Sequence, residues 1–237
     1  MEQPDWQYDE LRHAGTDYDS EAEVRGYDER MGRLRDIDAE ARDMLEFLEP
    51  GEGRTLVDFG AGTGEFALRA AGLFDRVVAV DISQAMLSFT AEKARAAGRG
   101  NIEFARAGFL TYEHSGEPPR AAVSQIALHH LPDFWKQVAL RRIARLLPDG
   151  GRFFLRDVVY SLPLERWEKS IGFAVQEIAE KGGESFRVSF TRHVKSEYST
   201  FDWIMEEMLY RAGFDIVDAE YGDHFIAAYK CVKRKGG

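Results

Sequence analysis

The stretch LVDFGAGTGEF, Leu56 to Phe66, sets Gly60, Gly62 and Gly64 within five positions directly after an apolar run, with Asp58 two places before the first of them. A strand that enters such a turn and leaves as a helix brings backbone N–H groups close to a ligand at the sheet's carboxyl edge. Two ligand classes compete for it. A dinucleotide wants G-x-G-x-x-G, and Glu65 stands where its last glycine would fall. Asp58 would repel a pyrophosphate, yet suits a ligand that carries a cationic amine and a sulfonium. The charge therefore favours S-adenosylmethionine. A second acid, Asp81, ends the run RVVAVDIS seventeen positions after Gly64, where a carboxylate accepts hydrogen bonds from ribose hydroxyls. Each signal has a plainer reading: an ordinary tight turn, and for Asp81 an acid that complements a helix N-terminus.

Methyl transfer from a sulfonium is an in-line displacement, so positioning dominates and a base is needed only when the acceptor must lose a proton. His129 and His130, expected just past a fourth strand, are the candidate catalytic bases because imidazole titrates near pH ~6.5. Adjacent strand-end side chains diverge, so one of the two is expected to face the ligand. A hydrogen-bonded structural histidine is the competing reading for either. No metal is expected, since neighbouring histidines seldom present to one ion and no second His/Cys pair stands nearby. Asp157, expected at the end of a fifth strand, is a further acid or base, or a loop anchor.

The elements that position these groups follow from punctuation and periodicity. TLVDFG, RVVAVDIS, NIEFARAG, AAVSQIAL and GRFFLRDVVY are short β-branched or aromatic runs. Between them, segments 67–72, 84–97 and 135–147 have helical character, with Ser83 and Asp133 as candidate caps. Strands alternating with helices imply a mostly parallel, doubly wound α/β sheet. DIDAEARDMLEFL reads as an amphipathic helix, Leu164 to Lys181 as an added helix, and TFDWIMEEMLYRAG as a later helix stopped by Gly213. FDIVDAEYG and HFIAAYKCVK then read as strands joined through Gly222-Asp223, an antiparallel terminal hairpin. The polar stretch FTRHVKSEYS lies before the last helix.

VDFGAGTG, VVAVDIS with Met86 and Leu87, SQIALHHLPD and LLPDGGRFFLRDVV occur in that order across about residues 50 to 160. This ordered set resembles the class I S-adenosylmethionine-dependent methyltransferases, in their small-molecule branch. The resemblance implies a Rossmann-like, seven-stranded sheet and S-adenosyl-L-methionine as cofactor, with S-adenosyl-L-homocysteine as product. It implies that Asp58, Phe59, Gly60, Ala61, Gly62, Thr63 and Gly64 line the methionine moiety and that Asp81 holds the ribose. Ile82 and Met86 would lie against the adenine, Ala107, Gly108 and Phe109 would wrap its edge, and Gln125 would offer a carbonyl to the amino group. At one position the chain departs from the family. Gly108 stands where an acid commonly meets the adenine amine; backbone groups of residues 107–109 and stacking by Phe109 are the expected substitutes. Core packing is the competing reading for Phe109.

The expected organisation is one domain over 1–237: a helical cover (1–49), a cofactor core (50–160), a substrate-side insertion or lid (161–200) and a terminal helix and hairpin (201–237). The acceptor pocket is expected from the variable parts. Tyr18, Tyr27, Trp167 and His193 are its candidate residues, within an aromatic inventory that includes Phe173, Tyr198, Phe201 and Trp203. Arg35 and Arg30 could pair with the cofactor carboxylate. Composition is ordinary for a folded globular protein: 44% hydrophobic, 30% charged, net charge −10. Scattered Lys and Arg argue against a nucleic-acid partner. No apolar stretch reaches the roughly 20 residues of a membrane span, and the cytoplasm is the expected compartment. Cys231, the sole cysteine, is expected to pack. The expected partner is a small-molecule acceptor, with monomer and homodimer both open. Alternatives to methyl transfer are a cyclase of the same fold, closing a cyclopropane from a sulfonium adduct with a histidine base, and a non-catalytic cofactor binder.

Overall fold

The computed structural model describes residues 4–12, 20–32, 36–222 and 224–236. In chain order the elements are α1 (Glu21–Gly32), α2 (Ile37–Leu48), β1 (Gly51–Phe59), α3 (Glu65–Ala70), β2 (Phe74–Asp81), α4 (Gln84–Ala96), β3 (Ile102–Arg106) and β4 (Ala121–Gln125). They continue as α5 (Asp133–Leu146), β5 (Arg152–Tyr160), α6 (Trp167–Gly182), α7 (Glu184–Ser196), β6 (Thr200–Phe201), α8 (Asp202–Ala212), β7 (Phe214–Gly222) and β8 (Ile226–Lys233).

Among the described residues, seven strands lie in the order β3-β2-β1-β4-β5-β8-β7, and the short β6 runs beside β5. The first five are parallel; β8 enters antiparallel to β5 and to β7. The fold is the Rossmann-like, mixed-sheet architecture of the expectation. Both faces of the central strands are buried, and alternate residues serve opposite cores. Val57, Phe59, Val78 and Val80 pack with α5 and α8 on one face, while Leu56, Val77 and Ala79 pack with α2 and α3 on the other. Cys231 is fully buried within the first of these cores, and burial pushes its thiol pKa up, so it packs rather than reacts.

After β3 the chain crosses over β1 to begin β4 on its far side. Adjacent connections therefore leave β1 and β4 in opposite directions, and a crevice opens at their carboxyl ends. The glycine turn and the His129-His130 turn both fall there.

Local differences from the sequence reading have physical causes. Ser83 does cap α4, its hydroxyl accepting from Met86 N at 3.1 Å. Asp133 does not cap α5: Pro132 holds the cap position, and the Asp133 carboxylate turns instead to Lys136 Nζ at 2.8 Å. Residues 190–196 of the polar FTRHVKSEYS stretch form the end of α7, because Gly183 breaks α6 and lets a second helix fold back on it. Asp157 lies inside β5, opposite Ala227, three residues before the strand ends. The terminal hairpin turns between Gly222 and Ile226; Asp223 lies outside the described residues.

Candidate active site

All three glycines of the turn adopt positive φ. At Gly64, φ is +76°, and an added methyl would overlap the Cγ2 of the buried Thr90, whose hydroxyl donates to Gly62 O at 2.9 Å. Gly64→Ala should therefore lose about 2–4 kcal/mol, the sum of left-handed strain and overpacking. Adding Thr90→Ser, which removes the methyl and keeps the donor, should recover the packing share. Urea unfolding of the two variants measures both parts, and equal stabilities would exclude the clash.

The turn is latched from β2. Asp81 accepts from Gly62 N at 2.8 Å and Ser83 N at 2.9 Å. Asp58, 2% exposed, shares the sheet edge. Its pKa is pushed up to about 7, first by burial and then by the Asp81 charge. A cation beside it would reverse that shift.

Two adjoining cavities meet at this edge and share Tyr27, Gly60, Gly62 and Gln125. Asp81, Ile82, Met86, Ala107, Gly108 and Phe109 line the first, and Asp58, Ala61 and Thr63 the second. Phe59 and Gly64 line neither. Phe59 instead backs the wall by stacking on Phe109, ring centroids 5.5 Å apart. Ile126 lines the first cavity at φ +50°, a strained conformation for a β-branched residue and one that concentrates at functional sites.

The acceptor-side expectations divide. Tyr27, on α1, lines both cavities, and Arg30 lies over its ring. Trp167 is 51% exposed on α6, away from both, because α6 and α7 pack on each other and on Phe225. No residue of 161–200 lines either cavity. Tyr18 and Arg35 lie outside the described residues. The cover comes instead from residues 4–12, which contribute Tyr8, Glu10 and Arg12 to the wall. Trp6 stacks on Trp135, and Tyr8 Oη donates to His130 O at 3.3 Å.

Glu10 is the residue that sequence reasoning missed. Its buried carboxylate accepts from Leu110 N at 3.0 Å and Thr111 Oγ1 at 2.7 Å, and it fills the space that a Gly108 side chain would occupy. Burial raises its pKa, and the Leu110 and Thr111 donors oppose that rise. The bare Gly108 signals room for another group; nothing local names Glu10 as the group that fills it.

The histidines sit in a 3-10 turn, Leu128–His130, with ring centroids 4.3 Å apart. His130 lines the first cavity. His129 is buried behind it, with Nδ1 2.5 Å from Asp157 Oδ1 and Nε2 3.3 Å from Glu197 Oε2. His193, buried on α7, pairs with Glu197 and so lies behind the wall rather than in it. Burial opposes charge on His129, but Asp157 and Glu197 outweigh it and raise the pKa; in return they are held below the usual carboxylate range. His130 moves the other way, lowered by burial and by its charged neighbour.

Comparison with known proteins gives the same picture. A family profile described as a methyltransferase domain matches residues 56–151. An uncharacterized methyltransferase of Geobacillus kaustophilus (strain HTA426) is 26% identical over 89% of this chain and 90% of its own. A ubiquinone/menaquinone biosynthesis C-methyltransferase of Klebsiella pneumoniae (strain 342) is 28% identical over 70% of this chain and 68% of its own. The fold is similar to the magnesium protoporphyrin IX methyltransferase of Synechocystis PCC 6803, solved with bound SAH, at TM-score 0.60 and 17% identity over 83% of this chain and 81% of that one. The matched residues are those that build the crevice and its glycine turn, and over them the chain is similar to S-adenosylmethionine-dependent methyltransferases of class I.

Proposed function

We propose that the protein transfers the methyl group of S-adenosylmethionine to a small-molecule acceptor, enclosed beneath the N-terminal segment. The observation that carries this reading is the closure by residues 4–12: the Trp6–Trp135 stack and the Tyr8 and Glu10 hydrogen bonds roof the sheet edge. A roofed cavity suits a small acceptor better than a macromolecular one. The relatives named for quinone and porphyrin methylation support the same substrate class.

In this reading Asp58 attracts the cofactor ammonium, Asp81 accepts from the ribose, and Ile82, Met86 and Phe109 flank the adenine. Glu10 supplies the acceptor for the adenine amine that Gly108 lacks. Tyr8, Tyr27, His130 and Leu131 form the acceptor wall. Bound S-adenosylmethionine would supply an electrophilic methyl group, with S-adenosylhomocysteine as the product that leaves. The protein's part is alignment.

Methyl-labelled cofactor incubated with protein and cell extract should leave label in the small-molecule ultrafiltrate. Label confined to protein or nucleic acid would overturn the acceptor class. Glu10→Ala should weaken cofactor binding about 10-fold, the worth of one charge-assisted hydrogen bond. Gly108→Asp alone should also weaken it, by colliding with Glu10, whereas Glu10→Ala combined with Gly108→Asp should recover most of the affinity. Purely additive losses in titration calorimetry would refute the substitution of one carboxylate for the other.

A further inference from the structure

Behind the His130 wall, side chains far apart in sequence form a single cluster. The turn after β4 brings His129 and His130, β5 brings Asp157, and α7 with its following turn brings His193 and Glu197. One ring nitrogen from each of His129 and His130 and one Glu197 carboxylate oxygen lie within 4.8 Å of one another. The two rings approach to 4.3 Å between centroids, because a 3-10 turn, unlike a strand, does not send neighbouring side chains to opposite faces.

The orientation of each group is set from behind. Asp157 accepts from the His129 backbone N at 2.9 Å and holds its Nδ1 at 2.5 Å, leaving Nε2 turned to Glu197. Glu197 is gripped by His193 Nδ1, and His193 Nε2 reaches Ser199 Oγ at 2.7 Å. The next residue is pinned too. Tyr198 N donates to His129 O at 2.9 Å, and its carbonyl accepts from the buried Lys136.

Two imidazoles and one carboxylate with room on one side are the donor set of a divalent first-row transition ion, and softer or harder ions want other ligands. A carboxylate behind a ligating histidine fixes its tautomer and raises its basicity. His129 has such a partner in Asp157, and the Glu197 carboxylate is in turn held by His193. Metal–ligand bonds of ~2.0–2.2 Å set the ligand atoms of a tetrahedral ion about 3.4 Å apart, so closing the observed group needs side-chain shifts of about 1 Å. Asp157 and Glu197 also bring two carboxylate charges into a nearly water-free space, which a dication matches.

We propose that His129, His130 and Glu197 bind one divalent transition-metal ion at the inner wall of the cofactor cavity, with Asp157 and His193 as positioning residues. The ion would border the cavity through His130, next to the acceptor side. This departs from the expectation of no metal, which held that neighbouring histidines seldom present to one ion and that no second His/Cys pair stands nearby.

The test uses the full chain without a histidine tag, stripped with chelator and titrated with cobalt(II). One equivalent should bind, give a visible ligand-field band and raise the melting temperature. X-ray absorption at the cobalt edge should count two imidazoles, a readout that needs no variant. Glu197→Gln and His130→Ala should each weaken cobalt binding at least about 10-fold, and Asp157→Asn about 10–100-fold through its hold on His129. Circular dichroism and chemical unfolding of the same variants report that they fold and keep this result separate from the cofactor assignment. Fewer than two imidazoles at the ion, no band and no melting shift at millimolar cobalt, or unchanged affinity in folded Glu197→Gln and His130→Ala would each overturn the site.

Discussion

Asp81→Ala should weaken S-adenosylmethionine binding by about 100-fold. Its carboxylate closes the end of β2, where it accepts from Gly62 N and Ser83 N and so holds the glycine turn in register with the start of α4. Removing it takes the proposed ribose acceptor and unlatches the turn. Hydrogen bonds to a charged group contribute roughly 1.5–3 kcal/mol, and about 2.7 kcal/mol is a factor of 100 in affinity. Asp81→Asn, which keeps one acceptor oxygen, should fall between. Titration calorimetry with cofactor or product measures both, and a loss under threefold in Asp81→Ala would exclude the role.

The same titration has a pH signature from Asp58. In the cofactor-free protein its pKa is raised to about 7, first by burial and then by Asp81. An ammonium group binds the carboxylate and not the acid, so affinity should climb as pH rises toward 7 and then level. Above about 8 it should fall again as the cofactor's own amine loses its proton. For stability the sign is opposite. The folded protein binds this proton more tightly than the unfolded chain, so ionising Asp58 costs stability as pH rises between the unfolded value, near 4, and 7. Bound cofactor should offset that cost. Asp58→Asn should flatten the acidic limb; a limb that persists unchanged would assign it to another group.

The largest loss of stability should come from Asp157→Leu, about 3–5 kcal/mol. Asp157 is fully buried and meets the ring and backbone of His129 and the backbone of Val158. Breaking a buried ion pair by removing one member leaves the other charge desolvated and unmatched, which costs more than the pair contributes. Asp157→Leu with His129→Leu should therefore be less damaging than Asp157→Leu alone, since an apolar pair can replace an ionic one. Chemical unfolding of both variants decides it. A single variant within 1 kcal/mol of the parent would show that Glu197 alone balances His129.

Much of the crevice was legible in the sequence because its residues are local. Asp58 and Gly60 to Gly64 are neighbours along the chain, and Asp81 follows at the distance one helix and one strand impose. The terminal hairpin was legible for the same reason. The insertion was not: α7 was read as a polar stretch, since a helix with one apolar stripe over a partner helix resembles a loop in composition. Trp167 and Phe173 read as pocket aromatics, yet both are exposed, because the α6–α7 pair buries its apolar stripe against itself and Phe225 rather than over the sheet edge.

The sequence by itself determined the sheet, its switch point and the glycine turn at its carboxyl edge, all consequences of short-range periodicity and of backbone conformations that only glycine adopts readily. Tertiary structure decided which groups reach that edge, or back its wall, from elsewhere. Glu10 reaches Leu110 across 100 positions, and His129 meets Asp157 across 28. Such pairs leave no spacing pattern, because the chain between them is free to vary in length and composition while packing alone sets where its ends meet.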